Sequence, residues 1–331
     1  MAKVLATGGA GYVGSICCAE LLRLGHSVTV VDDLSTGFRE SVPAGAAFVQ
    51  LDLGDRAGME SLLRGATFDV VFHFAARALI PESVSDPGVF FQQNVAAGIT
   101  LLEALRAARI RNFVFSSSAA IYGTPPRTPI DEDDPKQPVN SYGTTKLMFE
   151  QVLESYARAY GWSVIAFRYF NAAGATAELG ERHDPETHLI PLLLEAATGE
   201  RESCSLYGDD YETPDGTCLR DYVHVLDIAR AHVCGLQALG PPRMRAYNIG
   251  LGTSYSVGQV WQAAEQVSGR TIPVRVEGRR AGDPPVLCAN PRRIMQELGW
   301  RPEHSSLQEI IGSAWEWKRQ HTRAKVALGV P

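Results

Sequence analysis

No stretch of this chain approaches the ~20 consecutive apolar residues that a bilayer-crossing helix requires, so a helical membrane span is not expected. The start, Met1-Ala2-Lys3-Val4-Leu5-Ala6-Thr7, runs directly into glycines. It shows neither the charged region nor the apolar core of a secretory leader, and a cytoplasmic protein is expected. Basic clusters are few, short and broken by apolar residues: 31 Lys and Arg stand against 37 Asp and Glu, for a net charge of −6 and a pI near 5.8. A nucleic-acid surface is therefore not expected. The six cysteines, Cys17, Cys18, Cys204, Cys218, Cys234 and Cys288, have no paired metal-ligand spacing, and the first two are adjacent in an apparent helix. They read as buried thiols, and no metal is expected. Internal repeats and low-complexity segments are absent as well.

What is present is a chain of 331 residues, 45% hydrophobic, long enough for two moderate cores. Short apolar runs at Val4 to Thr7, Ser27 to Val31, Ala47 to Leu51, Val70 to Phe74 and Phe113 to Ser116 read as strands. Between most of them lie helical periodicities, as at Ile16 to Leu24, Met59 to Leu63 and Val95 to Ala108. This alternation predicts βαβ units, hence an α/β fold with a doubly wound parallel sheet of the Rossmann type. A long helix from Tyr142 to about Tyr160 and a strand from Ser163 to Phe167 follow. From Ala172 to Arg220 the chain reads as loop, interrupted by one helix near Leu189 to Thr198. The expected division is a dinucleotide-binding domain over residues 1–171, joined by parts of 222–250, and a smaller, discontinuous C-terminal α/β substrate domain over 172–331.

The chemistry is concentrated in three places. Tyr142 and Lys146 stand one helical turn apart, and the run Ser116-Ser117-Ser118 ends a strand. Many surface helices carry such a Tyr–Lys pair, but catalytic groups gather beyond the carboxyl ends of parallel strands. A phenol titrates near ~10 and is a poor base. A lysine ammonium ~4 Å away, at an effective dielectric of ~20, would stabilise the phenolate by roughly 4 kcal/mol and bring it toward working pH. Such a set can take the proton of a sugar or alcohol hydroxyl that is being oxidised. The second place is Thr7-Gly8-Gly9-Ala10-Gly11-Tyr12-Val13-Gly14, between the first strand and the first helix. Glycines at 8, 11 and 14 suit a tight turn, close backbone approach to a pyrophosphate and a helix N-terminus aimed at negative charge. The third is Asp32, 18 residues after Gly14 at the end of the second strand. It is placed for an adenosine ribose diol, and with Asp33 it would repel a 2′-phosphate, so NAD is expected over NADP. Asp52, ending the third strand, either accepts from an adenine amino group or caps a helix.

With Asp32 to Gly37, Phe72 to Ala76, Ser116 to Gly123, Arg168-Tyr169-Phe170-Asn171, Gly208 to Val225 and Arg279 to Asp283 added, the chain resembles the extended short-chain dehydrogenase/reductases. Within them it is most similar to the UDP-galactose 4-epimerase family. The resemblance spans nearly the whole length. It implies that Tyr142 is the base for a sugar 4-hydroxyl, that Lys146 holds the nicotinamide ribose, and that Ser118 shares the hydroxyl hydrogen bond. Gly8, Gly11, Tyr12, Val13, Gly14, Asp32, Asp33, Ser35, Thr36, Gly37, Asp52, Leu53, Phe74, Ala75, Ala76, Asn94, Ser116 and Tyr169 would complete the cofactor site. Asn171, His188, Leu189, Leu206, Tyr207, Arg220, Arg280 and Asp283 would hold the UDP-sugar, with the arginines on the diphosphate and Asp283 on the uridine ribose.

The implied reaction interconverts UDP-glucose and UDP-galactose by transient oxidation at carbon 4 with bound NAD. Ala119 and Ala120 stand where relatives that dehydrate or decarboxylate carry acids, which favours simple epimerisation. Other possibilities are a 4-epimerase of UDP-N-acetylhexosamines or UDP-pentoses, a net NAD-dependent dehydrogenase, and a non-catalytic NAD-binding protein. Three positions depart from the family pattern: Ala78 after Arg77 where some epimerases have a lysine, His188 in place of an asparagine, and Leu287 where side-chain bulk goes with sugar size. His73, His224 and His232 lie in apolar contexts and read as core histidines. The helices at Val95 to Ala108 and Tyr142 to Tyr160 resemble those that pair in dimeric relatives, so a homodimer is expected.

Overall fold

The computed structural model describes residues 1–280, 283–304 and 306–327. The first half alternates strands and helices: β1 (Lys3–Thr7), α1 (Tyr12–Arg23), β2 (Ser27–Asp32), β3 (Ala47–Gln50), α2 (Arg56–Leu63) and β4 (Val70–His73). Two short helices, α3 (Ile80–Ser85) and α4 (Pro87–Phe91), lead through a π-helical turn into α5 (Ala97–Ala107). Then come β5 (Asn112–Ser118), α6 (Ser141–Tyr160), β6 (Ser163–Tyr169) and β7 (Asn171–Ala173). The second half contains α7 (Leu189–Thr198), β8 (Cys204–Tyr207), β9 (Leu219–Arg220), β10 (Tyr222–His224), α8 (Val225–Ala238), β11 (Arg243–Ile249), β12 (Tyr255–Ser256) and α9 (Val257–Ser268). It closes with β13 (Val274–Glu277), β14 (Val286–Leu287), α10 (Arg292–Glu297) and α11 (Leu307–Ala327).

Seven strands form one parallel sheet in the order β11-β6-β5-β4-β1-β2-β3, the doubly wound architecture expected from the alternation. Because side chains alternate along a strand, each strand feeds two cores, which is why these strands read as unbroken apolar runs. Val4 and Ala6 of β1, Phe72 of β4 and Ile165 and Phe167 of β6 pack on one face with Leu21 of α1 and Ile228 of α8. Leu5, Val71, Phe113 and Val164 pack on the other face with Met59 of α2, Leu101 of α5 and Phe149 of α6.

A third core gathers Ile190 and Leu193 of α7, Val260 and Ala264 of α9 and Ile310 and Ile311 of α11, beside the parallel pair β8 and β13. The region read as loop from Ala172 to Arg220 therefore contains three short strands, β7, β8 and β9, besides its helix. Pairing with β10, β13, β12 and β14 makes them strands, and that partnership is non-local. Among the described residues no helix is long and apolar enough to cross a membrane. All six cysteines are free thiols, and all but Cys234 are buried.

Candidate active site

The strand order reverses at β1, which has β2 on one side and β4 on the other, and a crevice opens there beyond the carboxyl ends of the strands. It is a cavity of about 1190 Å³ that continues across to α7 and β9. All of the cofactor and substrate residues expected from the sequence line it, apart from Asn94 and Leu206.

At one end lies the glycine turn. Gly8 has φ +74°, and a Cβ there would come within 2.3 Å of Ala75 N; a Cβ on Gly14 would come within 2.3 Å of Gly8 O. These two glycines serve protein packing. Gly11 differs, since the nearest protein atom to a Cβ there is 3.4 Å away, so its open face belongs to the cavity. Gly11 is the N-cap of α1, and no side chain caps that end or places an acid in its first turn. The free N–H groups and the helix dipole are thus left for an anion. Asp32 is buried; its Oδ2 accepts from Ala10 N at 3.0 Å and its Oδ1 from Leu34 N at 2.9 Å. Each oxygen keeps a lone pair, which fits a ribose diol. Asp52 is not the helix cap: its Oδ1 closes a turn onto Gly54 N at 2.7 Å, while Asp55 caps α2. These features together fit a dinucleotide.

At the end of β5, Ser118 Oγ accepts from Ala120 N at 3.1 Å. Its hydroxyl hydrogen remains available to the Tyr142 phenol, whose pKa it lowers. Asn140 caps α6 through Gly143 N at 2.8 Å and sets Tyr142 in its first turn. Lys146, one turn on, donates from Nζ to Ser116 O at 2.8 Å and lies 5.7 Å from the centre of the Tyr142 ring. The expectation that this lysine brings the phenol to working pH is not met by the two side chains alone. Burial raises the Tyr142 pKa and only the Ser118 hydrogen bond opposes it. Burial also depresses Lys146 to about 7, against the nearby Glu150 carboxylate. Near pH 7 this burial leaves part of the lysine neutral, although its hydrogen bond to Ser116 O favours the ammonium.

Across the cavity, Arg220 is buried and donates from NH1 to Pro284 O at 2.9 Å, with Asp283 3.5 Å from its NH2. The Arg280 guanidinium stacks on the Tyr207 ring at 3.8 Å. Ala281 and Gly282, inside the Arg279 to Asp283 motif, lie outside the described residues. Asn171 and Leu287 also line this side. His188, the N-cap residue of α7, faces Glu181 Oε1 at 2.7 Å and Glu186 Oε1 at 2.9 Å. Partial desolvation by the loop around it pulls its pKa down, although the side chain is 46% exposed, but those two carboxylates outweigh that and raise it to about 10.

Two expected site residues do not line the cavity. Leu206 is buried behind β8, because strand parity turns Ser205 and Tyr207 toward the cavity and Leu206 away from it. Asn94 is buried behind the cavity wall, accepting from Arg77 N at 2.8 Å and donating to Arg77 O at 3.0 Å and Thr145 Oγ1 at 3.1 Å. It holds the Arg77 loop against α6. His73, His224 and His232 are buried with hydrogen-bond partners Thr7, Ser313 and Tyr169.

Sequence inspection missed a buried network behind Ser118, Tyr142 and Lys146. Glu150 accepts from Ser117 Oγ at 2.6 Å and holds Arg168 at 2.7 Å, and Arg168 donates to Tyr122 Oη at 2.8 Å. The available signal was Glu150 itself, one turn beyond Lys146 on α6.

A doubly wound sheet with a glycine turn, a ribose-facing aspartate and a Ser–Tyr–Lys set at its carboxyl edge defines a dinucleotide-dependent enzyme that acts on a hydroxyl. Residues 4–250 match the NAD dependent epimerase/dehydratase family, and the chain belongs to that family. It is 48% identical over 330 residues to the UDP-glucose 4-epimerase of Corynebacterium glutamicum, covering 98% of this chain and 100% of that one. The UDP-glucose 4-epimerase of Brucella ovis, solved with NAD, superposes with a TM-score of 0.91 at 44% identity, covering 95% of this chain and 98% of that one. The enzyme from Stenotrophomonas maltophila, solved with NAD and formylated UDP-arabinopyranose, superposes with a TM-score of 0.93 at 38% identity, over 98% and 100% of the two chains.

Proposed function

We propose that this protein is an NAD-dependent 4-epimerase that interconverts UDP-glucose and UDP-galactose. The observation that carries the reading is one continuous cavity with the glycine turn and Asp32 at one end, Arg220 and Arg280 at the other and Tyr142 between them. The glycine turn, Asp32 and Lys146 would hold NAD, which would supply the hydride acceptor and donor for carbon 4 of the sugar. Tyr142 takes the 4-hydroxyl proton and gives it back. Ser118, its oxygen pinned by Ala120 N, donates to the phenolate or to the sugar oxygen. Lys146 orients the cofactor ribose and adds charge when protonated. Arg220 and Arg280 clamp the diphosphate while the sugar turns about it, so the hydride returns to the opposite face.

Ala119 and Ala120 border the same space and offer no further acid or base, which supports epimerisation over dehydration. A 4-epimerase of UDP-pentoses is the second reading, favoured by the half-buried Leu287 at the sugar end and by the pentose nucleotide held by one relative. The proposal includes a homodimer through α5 and α6, whose exposed Ile99 and Met148 support it; a monomeric mass by light scattering would exclude it. The main test supplies UDP-galactose to the NAD-loaded protein. UDP-glucose is expected to form to equilibrium with no net rise in absorbance at 340 nm. Steady accumulation of NADH would instead identify a dehydrogenase.

A further inference from the structure

The loop from Gly174 to His188 joins β7 to α7 and borders the cavity, and its contacts run in two directions. On the substrate side it is anchored to the third core. Ala175 N donates to Ser313 Oγ at 3.1 Å, and Gly180 lies so close to the Trp317 ring that a Cβ would come within 2.5 Å of it. Within the loop, Glu181 pairs with His183 at 2.9 Å and with His188 at 2.7 Å, tying it to the start of α7.

On the cofactor side it is held by two residues that belong to the dinucleotide loops. Tyr12, the first residue of α1, donates from its phenol to Gly174 O at 2.6 Å. The Arg182 guanidinium lies over the Phe38 ring at 4.3 Å. Phe38 directly follows the segment Asp33 to Gly37, and its own N–H donates to Ala10 O at 3.1 Å in the glycine turn. Both members of this stack are only partly buried and both line the cavity. The loop thus bridges the substrate and cofactor sides of the cavity, with a cation on an aromatic face as the outer fastening on the cofactor side.

We infer that Gly174 to His188 is a strap that retains the cofactor, and that Arg182 and Phe38 form its latch. The inference rests on the NAD-dependent reading of the cavity. An enzyme whose cofactor ends each cycle in the state in which it began gains nothing from exchange, and release between the two hydride transfers would strand a ketone. A fastening between the strap and the cofactor loop lowers that risk without touching the reacting atoms. Arg182 and Phe38 are therefore positioning residues.

The test is the rate at which NAD-loaded protein loses its cofactor after dilution into NAD-free buffer, for Phe38→Leu, Arg182→Gln, the double variant and Arg182→Lys. A contact worth ~1 kcal/mol predicts release about five-fold faster in each single variant. The double variant should release NAD no faster than either single one, and Arg182→Lys should recover part of the effect. With NAD in excess, KM for the UDP-sugar and the unfolding midpoint of the NAD-free protein should match wild type. Wild-type release rates in the single variants, fully additive effects in the double, or a change confined to KM for the sugar would each overturn the latch. Wild-type protein that neither carries nor binds NAD would overturn the underlying reading instead.

Discussion

At the level of single residues, the base assignment rests on Tyr142, whose phenol has the Ser118 hydroxyl on one side and Lys146 one turn away on α6. Replacing it with Phe removes the proton acceptor and leaves the ring, so the cofactor end of the cavity should be unaffected. Tyr142→Phe is expected to lower kcat by 10²- to 10⁴-fold, the ordinary contribution of a general base, while NAD content stays at the wild-type level. Activity within a few-fold of wild type would move the base elsewhere. The identity of these groups was legible in the sequence because a turn of helix and a strand end fix their spacing. Their protonation was not. The lysine's lowered pKa comes from its burial between α6 and the sheet, which no local pattern announces. The Glu150–Arg168–Tyr122 network was hidden for a related reason: Tyr122 Oη continues it to Asn248 Oδ1 at 2.7 Å, 126 residues further along the chain.

At the level of elements, what could be read depended on length and parity. The inner strands of the parallel sheet are buried on both faces and show as apolar runs, and α7 begins and ends where its periodicity does, at Leu189 and Thr198. Strands of two to four residues such as β7, β8 and β9 carry no period, and only their partners make them strands. Parity also explains Leu206, since a motif identifies a strand but not which of its residues faces the ligand. The turn between β1 and α1 supplies a sharper test, because its three glycines are required for different reasons. Alanine at Gly8 or Gly14 would collide with backbone at 2.3 Å and should destabilise the protein itself. Gly11 has φ −83° and ψ 172°, which alanine adopts freely, and 3.4 Å of clearance. Gly11→Ala should therefore fold with an unfolding midpoint near wild type yet retain NAD at least ten-fold more weakly, because its methyl projects where a pyrophosphate would approach. Equal NAD retention, measured by equilibrium titration, would remove the phosphate role from this turn.

For the molecule as a whole, the same burial that shapes the site sets its response to acid. His73, His224 and His232 lie in the cores beneath the sheet and the strap, and burial depresses their pKa values to about 3, 4 and 4. Each stays neutral in the folded protein, while in the unfolded chain it takes a proton below ~6.5, so stability falls as pH drops through that value and goes on falling toward 4. At pH 5 each histidine costs about 2 kcal/mol relative to neutral pH. Asp221 works in the opposite direction. Burial raises it to about 6 despite backbone hydrogen bonds from Leu251, Ala289 and Gly252, so its protonation between pH 7 and 5 returns about 1 kcal/mol. The histidines win by a margin that is a sizeable fraction of an ordinary domain's stability of 5–15 kcal/mol. His188, held charged by Glu181 and Glu186, joins Asp221 in opposing the loss, so urea unfolding of the protein at pH 7 and pH 5 should show a net loss of roughly 3 to 5 kcal/mol, with the greater part of the decline lying below pH 6.5. A midpoint that holds steady across that interval would mean that these rings are solvated or charged in the folded state. Phe72, Phe74 and Phe167, which surround His232 at 4.8 to 5.7 Å, would then have to be packed differently from the arrangement described above.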